Sequence, residues 1–318
     1  MRVVFVPFNH NNDYIEINKE AIRALELQPV AFSFKVLIAS LFRRYPLVLN
    51  WVEDKPYGSK LNKLKRFITF IKCLGLVVAG AVFFSIKISV KHNFKPHNIE
   101  GRGFYFSVLR GLMRGLGYKF VSLELYDGGG LVHPLYLDDE AMDVLVEEKN
   151  NRVLNYIFFG AVKPYKGLDI ILNSWPNNKH LKILGKCDDK QYESALRHII
   201  AQRSLKVTWN NTFLPIQDLN KELSDADFVL MNHLENTMIS SGSFYHAISF
   251  GCNVIAAPSK FTIAKSEQHQ FVHIIRDLNA DLPNIEASYV GKNKVRREAK
   301  KGYSRYRLSE KWRQLLLH

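Results

Sequence analysis

The sequence predicts an α/β protein of two domains, each a parallel sheet with helices on both faces. Three observations carry this. The chain has 318 residues, and at about 150 residues per domain that is two units. Apolar runs of strand length alternate with helical periodicity from Val3 onward, break off near an acidic stretch, and start again at Val153. Strand–helix alternation is the pattern of parallel sheets. Hydrophobic residues make up 47% and charged residues 23%, enough apolar material for two cores and unlike a disordered chain.

In the first half, residues 3–6 form a short apolar run ending at Pro7, a strand. Residues 17–25 have helical spacing, 29–34 read as a strand, 36–43 as a helix and 47–52 as a strand. A helix near 59–72 precedes a strand through 86–90. Residues 104–114 read as helix and 119–125 as strand, followed by a strong turn signal at Asp127-Gly-Gly-Gly130. The acidic stretch 138–148 is expected to carry a helix at the boundary. In the second half the expected strands are 153–159, 181–184, 205–209, 228–231 and 253–256. The helices are 167–174, 192–202, 217–224 and 244–250, with Gly251 where a helix C-cap belongs. The expected organisation is therefore a domain over 1–137, a linker over 138–150, a second domain over 151–290, and a basic C-terminal helix over 291–318. Two such halves would meet at a cleft facing the carboxyl ends of their strands, where open α/β sheets bind ligands.

The net charge is +14. Residues 1–137 hold 19 bases and 9 acids, 138–148 six acids and no base, and 149–318 25 bases and 15 acids. The positive field is shared by both halves and favours phosphates, nucleic acid or an acidic bilayer face. Three cysteines, Cys73, Cys187 and Cys252, lie far apart. They show neither a disulfide framework nor metal spacing and fit a reducing compartment. The N-terminus lacks a signal peptide's apolar core, so a cytoplasmic location is expected.

The most apolar stretch, 73–86 (CLGLVVAGAVFFSI), is 14 residues long and interrupted by Gly75 and Gly80. A span needs about 18–20 apolar residues. The stretch reads as a helix end, a turn and the start of a buried strand. Ahead of it, residues 55–72 hold six bases and no acid, with Leu61, Leu64, Ile68 and Ile71 at helical spacing. That is a basic amphipathic helix, suited either to an anionic membrane or to a domain surface with a solvated basic face.

Three constellations carry chemistry. Residues 158–171 (FFGAVKPYKGLDII) end a strand at Gly160, carry Lys163 and Lys166 in a short loop, and open a helix at Gly167. A glycine turn, two ammonium groups and a helix start suit a diphosphate; a tight turn with exposed lysines would look similar. Residues 239–243 place Ser240, Ser241, Gly242 and Ser243 before a helix, where hydroxyls either cap the helix or hold phosphate or ribose. Residues 90–97 (VKHNFKPH) put His92, Asn93 and His97 after an apolar strand. A zinc reading of the two histidines lacks third and fourth ligands.

Together with NWVED at 50–54 and MISSGSFYHAISFGCNVIAAP at 238–258, these segments resemble bacterial GT-B glycosyltransferases of the GT4/GT1-like group, found in capsule, exopolysaccharide and O-antigen gene sets. The order and spacing extend over nearly the whole chain. The resemblance implies two facing Rossmann-like domains with a central cleft, the N-terminal one binding acceptor and the C-terminal one a UDP- or GDP-sugar. It implies that Lys163 and Lys166, beside Gly160, neutralise the diphosphate and that Ser240 to Ser243 hold phosphate or ribose. It also implies that Phe213, Leu214 and Pro215 lie beside the base and that His92 faces the donor sugar. The acceptor implied is a lipid-linked or oligosaccharide chain in surface-polysaccharide synthesis, at the inner face of the cell membrane.

Many relatives carry two glutamates eight positions apart, where this chain has Met238 and His246, and an arginine where it has Ala161. Retention of configuration therefore does not follow, and an inverting route needs a general base. The candidates are His92 first and Asp13 second, with His10, Asn93 and His97 on the acceptor side; Glu53 and Asp54 follow the third strand. No metal is expected, since Asp225-Ala-Asp227 reads as helix-to-strand punctuation and the lysine loop supplies the charge. Two other readings stand beside this one: a non-catalytic subunit of the same fold, and a nucleic-acid binder. The second rests on the tail 291–318, with ten bases, two acids, Tyr303, Tyr306 and Trp312, although that tail could equally pack back on the first half.

Overall fold

The structure, a computed structural model, describes residues 1–10, 12–58, 61–96, 103–143, 153–232 and 238–317. The chain divides into two compact units. The first unit holds Met1–Pro134, the short segment 238–240 and 305–317. The second holds the other described residues between 135 and 304.

The first unit runs β1 (Arg2–Val6), α1 (Asp13–Arg23), β2 (Gln28–Val30), α2 (Phe34–Arg43), β3 (Leu47–Asn50), α3 (Lys63–Phe83), β4 (Lys87–Lys91), α4 (Phe104–Gly115) and β5 (Lys119–Ser122). All pairings are parallel, in the order β2-β1-β3-β4-β5. Successive side chains leave a strand on opposite faces. Val3 and Phe5 enter one core with Ile15, Ile22 and Val48, while Val4 and Val6 enter another with Leu47, Leu49 and Val77. This two-sided burial is why the strands read as continuous apolar runs.

Residues 73–86 do not contain the expected turn. Lys63–Phe83 is one helix of 21 residues, continuous through both glycines. Gly80 is needed for packing: a Cβ there would lie 2.0 Å from the Tyr118 hydroxyl oxygen, which donates to Val77 O at 2.7 Å. Gly75 meets nothing within 4 Å, so its helix-weakening backbone freedom is outweighed by the packing of the rest.

The second unit runs β6 (Tyr156–Phe159), α5 (Leu168–Ser174), β7 (Leu181–Leu184), α6 (Lys190–Gln202), β8 (Val207–Asn210), α7 (Ile216–Asp225), β9 (Phe228–Met231), α8 (Gly242–Ser249), β10 (Asn253–Ala256), α9 (Lys260–Gln268), β11 (Val272–Ile274), α10 (Leu278–Ala287) and α11 (Lys292–Tyr303). Its parallel sheet is ordered β11-β10-β9-β6-β7-β8. That is the doubly wound order of nucleotide-binding sheets, with the crevice where the order reverses, between β6 and β9. In the first unit the reversal lies between β1 and β3.

The C-terminal segment is two helices rather than one. α11 belongs to the second unit, and α12 (Arg305–Leu316) to the first. Trp312 is fully buried in the core beside Leu308 and Ile15, and its indole N–H donates to Asn18 Oδ1 at 2.9 Å. Tyr303 is buried as well, so of the tail's three aromatics only Tyr306 is exposed. A nucleic-acid platform needs its rings free for bases, and these are spent on cores. Of the expected boundary helix, only the single turn Ala141–Asp143 falls within the described residues. Asp143 pairs with Lys300 of α11 at 2.6 Å.

Candidate functional site

In the second unit, β6 ends at Gly160, whose φ of 94° is left-handed and therefore suits glycine. A Cβ added there would lie 2.9 Å from Lys166 Nζ and 4.0 Å from Ser243 Oγ. The bare glycine thus brings together the lysine loop and the serine loop, distant in sequence. Gly185, after β7, completes this floor: its Cβ would lie 2.0 Å from Gly160 O. Sequence reasoning missed Gly185, although it follows its strand as Gly160 does.

Lys166 closes a single helical turn, Pro164–Lys166, and is 9% exposed. Among the described residues no carboxylate pairs with it; the Phe158 ring centre lies 5.7 Å from Nζ. Burial, reinforced by the Lys163 charge, pulls the ammonium down to about 8. A buried cation without a counter-ion is costly, and such a group in a crevice marks a candidate anion site. Lys163 itself is exposed.

α8 begins after Ser241, which is buried but makes no side-chain capping bond. The first-turn N–H groups at Gly242 and Ser243 have no intrahelical acceptor, and capping does not account for this serine. A cavity of about 760 Å³ opens at the same carboxyl edge, lined among others by Ile171 of α5, Asn232 after β9, Pro258 after β10 and Arg276 after β11. Its size suits a small-molecule ligand. Asn232 Nδ2 donates to Gly167 O at 2.9 Å, tying the cavity wall to the lysine loop. A smaller hollow of about 350 Å³ at the amino ends of the strands holds the Lys182–Glu222 pair, whose charges already satisfy each other.

Phe213 is 87% exposed after β8, with Leu214 half-buried and Pro215 exposed at the N-cap of α7. Ser240 belongs to the first unit, where its hydroxyl donates to Glu124 Oε1 at 2.6 Å. His246 is buried, stacked on Tyr136 at 4.3 Å and bonded to Asn220 at 2.7 Å. Burial takes it down to about 4, so it is a neutral packing residue. Asp227 Oδ2 accepts from Asn155 N–H at 2.9 Å and Oδ1 from Tyr289 at 3.2 Å, so this carboxylate is structural.

In the first unit, the loops after β1, β3 and β4 gather around Asn50. Its Nδ2 donates to Val6 O at 3.2 Å, a carbonyl that only accepts, so Oδ1 faces Tyr14 and His92. Tyr14 donates to Oδ1 at 3.4 Å and His92 Nε2 lies 3.1 Å away. His92 Nε2 therefore carries the hydrogen, and Nδ1 keeps the lone pair. Trp51 stacks on the imidazole at 4.0 Å, and Tyr14 meets it edge-on at 5.2 Å. Burial, with the nearby His133, holds His92 well below the usual imidazole range. It is neutral at pH 7, as a proton acceptor must be.

His10 stacks on Trp51 at 5.7 Å. Asp13 is exposed on the first turn of α1, not in the loop before it. Asn93 Nδ2 donates to Asp54 Oδ2 at 3.1 Å; Asp54 Oδ1 has no partner among the described residues. Burial, then the neighbouring Glu53, pushes Asp54 up to about 7. Glu53, buried and raised by that burial, keeps Arg110 Nε at 3.3 Å. His97 lies outside the described residues. Sequence reasoning missed Asn50, Trp51, Tyr14 and His133; the strand-ending Asn-Trp of 50–51 was the available signal.

No family model matches the chain, and no curated protein matches it. Solved structures do. AviGT4, a glycosyltransferase involved in avilamycin A biosynthesis, matches with a TM-score of 0.59 at 14% identity, over 99% of this chain and 96% of that one. A structure described as trehalose-6-phosphate from E. coli bound with UDP-2-fluoro glucose gives 0.59 at 10% identity, covering 99% of each chain. The lipopolysaccharide outer core galactosyltransferase WaaB gives 0.56 at 10%, over 100% and 99%. At these identities the likeness establishes the fold: two Rossmann-like domains of GT-B type.

Proposed function

We propose that the protein is a glycosyltransferase that moves a sugar from a nucleoside-diphosphate sugar to an acceptor hydroxyl. The observation that carries this is Lys166: a buried ammonium with no counter-charge among the described residues, beside Gly160 and Ser243, at the switch point of a doubly wound sheet. Leaving-group charge grows on the diphosphate as the glycosidic bond breaks, and a fixed cation there stabilises the transition state more than the ground state. Lys163, Ser241, Gly242 and Ser243 supply further donors, and Phe213 with Leu214 and Pro215 a surface for a UDP- or GDP-type base. The reading needs no metal, because the lysines supply the positive charge. It is supported by the GT-B fold of the neighbours, some of which are glycosyltransferases by name.

In the first unit we assign acceptor activation to neutral His92 through Nδ1, with His10 and Asn93 beside the acceptor and Asp13 a weaker alternative. A lipid-linked saccharide of a bacterial surface polysaccharide is the acceptor class this reading favours, at the cytoplasmic face of a membrane. A non-catalytic subunit of the same fold is the competing reading; it draws on Met238 and the packed His246, which leave no carboxylate where relatives have two.

The test is thermal stability against UDP, GDP, dTDP, CDP and ADP, with Lys166→Ala as control. Ligand at about 100 times its dissociation constant adds roughly 2.7 kcal/mol of apparent stability. One nucleotide should shift the midpoint, and the variant should lose the shift. No shift with any nucleotide in a folded sample would sink the donor-site reading, and a shift without transfer to any lipid-linked acceptor would favour the non-catalytic subunit.

A further inference from the structure

The first unit carries a helical surface whose polarity is inverted. On α3 the buried face is Phe70, Cys73, Val77 and Gly80. At 100° per residue, the opposite side carries Leu64, Phe67, Ile68, Ile71, Val78 and Val82, all exposed, with Leu64 at 68% and Val82 at 66%. Gly75 falls on the same stripe. From Leu64 to Val82 the stripe runs about 27 Å at 1.5 Å per residue. A helix of a water-soluble surface would be polar there.

α2, packed beside α3 on the same core, repeats the pattern. Its solvent side is Phe34, Ile38, Leu41 and Phe42, with Phe34 76% and Phe42 84% exposed. The spacing i, i+4, i+7, i+8 puts all four on one face. Phe104, at the start of α4, is exposed too. An apolar area of this extent on a folded unit marks an interaction site rather than chance exposure.

Charge decides what covers it. Exposed Lys35, Arg43 and Arg44 flank the α2 stripe, and Lys63, Lys65 and Lys72 flank the α3 stripe. Between Leu27 and Ile99 the only acids are Glu53 and Asp54, and Glu53 is buried against Arg110. Apolar rows edged by cations and free of acids complement a bilayer's acyl layer and anionic headgroups. α3 is long and apolar enough to cross a membrane. Yet its inner face is locked into the core, with the Tyr118 hydroxyl on Val77 O, and crossing would strip that face from its partners.

We infer that α2 and α3 form a monotopic membrane-docking surface, lying in the interface of an anionic bilayer with Phe34, Phe42, Phe67 and Ile71 below the headgroups. This deepens the membrane placement above but depends on neither nucleotide binding nor transfer.

The test is co-sedimentation of the full chain with phosphatidylcholine vesicles, with and without about 30% phosphatidylglycerol, at low and high salt, alongside F34S/F42S and I68S/I71S. The replaced side chains are exposed, so circular dichroism and the thermal midpoint should match wild type. Wild type should pellet with the anionic vesicles and much less with the neutral ones. Each double variant should bind roughly tenfold or more weakly. Phe42→Trp should shift its emission to the blue on vesicles, a readout that needs no loss of binding. Equal pelleting with and without vesicles, or unchanged binding by both variants, would overturn the inference. So would a wild-type dimer that the variants dissociate with no vesicle binding, because a second copy would then cover the face. Vesicle binding without any nucleotide shift would leave this surface standing and remove only the activity.

Discussion

The two units place opposite chemistry at the same topological point. Each has a parallel sheet whose strand order reverses once, and each gathers side chains at the carboxyl ends beside that reversal. In the second unit the group is a charged lysine with no counter-charge among the described residues, beside bare glycines. In the first it is a neutral histidine, stacked on Trp51 and oriented by Asn50. Burial is common to both and moves both groups toward neutrality. The difference is in what remains to be satisfied. A lysine without a counter-ion favours an anion, whereas an oriented imidazole with a free lone pair favours a proton. On the proposed reading, one fold plan serves a leaving-group site and a nucleophile-activating site by changing a few loop residues.

The comparison breaks most decisively at the two central residues. His92→Ala should lower the transfer rate about 10²- to 10⁴-fold while leaving the nucleotide-induced thermal shift intact; loss of that shift would deny the separation of roles. Lys166→Met should lower the rate by about 10²- to 10³-fold, the effect of removing one charge-stabilising donor, and abolish the shift.

The same variant sharpens the argument without ligand. Lys166 titrates near 8 folded and near 10.4 unfolded. The charge penalty is therefore full below about pH 8 and disappears as pH rises past the unfolded value. At pH 7, ligand-free Lys166→Met should be more stable than wild type by on the order of 2 kcal/mol, measured by denaturant melts. A destabilised variant would make the lysine a structural residue. By the same titration, nucleotide affinity should fall as pH rises through about 8, and calorimetry at pH 7 and 9 reads it directly.

The smallest effect concerns Asp54. It is raised to about 7 by burial and by Glu53. If it shares the proton with His92, Asp54→Asn should remove a limb near pH 7 from the rate profile, with the thermal shift unchanged. An unaltered profile would leave the carboxylate a positioning partner of Asn93.

Much of this was legible in sequence, for identifiable reasons. Buried parallel strands are continuous apolar runs, so β1, β3, β4, β6 and β9 stood out. The Gly160–Gly167 loop was legible because a strand, a glycine and two lysines occur together. α3 was misread because Gly75 and Gly80 look like turn residues, whereas Gly80 makes room for the Tyr118 ring, a partner 38 positions later that no local pattern reveals. No element is expected from the sequence between the strand at 253–256 and the tail at 291, yet that stretch holds α9, β11 and α10; the helices are short and one contains Pro283. Ser240 was grouped with its neighbours by adjacency alone, and the structure commits its hydroxyl to Glu124. Asn50 stood at a strand end inside the NWVED segment, but its weight lies in three partners from three other segments, which no local pattern shows.

The return of α12 to the first unit bears on how the protein is made. Trp312 completes a core begun by Phe5 and Ile15, and its bond to Asn18 spans 294 positions. Contacts of such separation form late and require closure of a very long loop. During synthesis the first sheet must therefore wait, with one flank of its core uncovered, until the whole second unit and then α12 have left the ribosome. The domain translated first is the last to be finished, and in the interval its open apolar flank is the part of the nascent chain most in need of a chaperone.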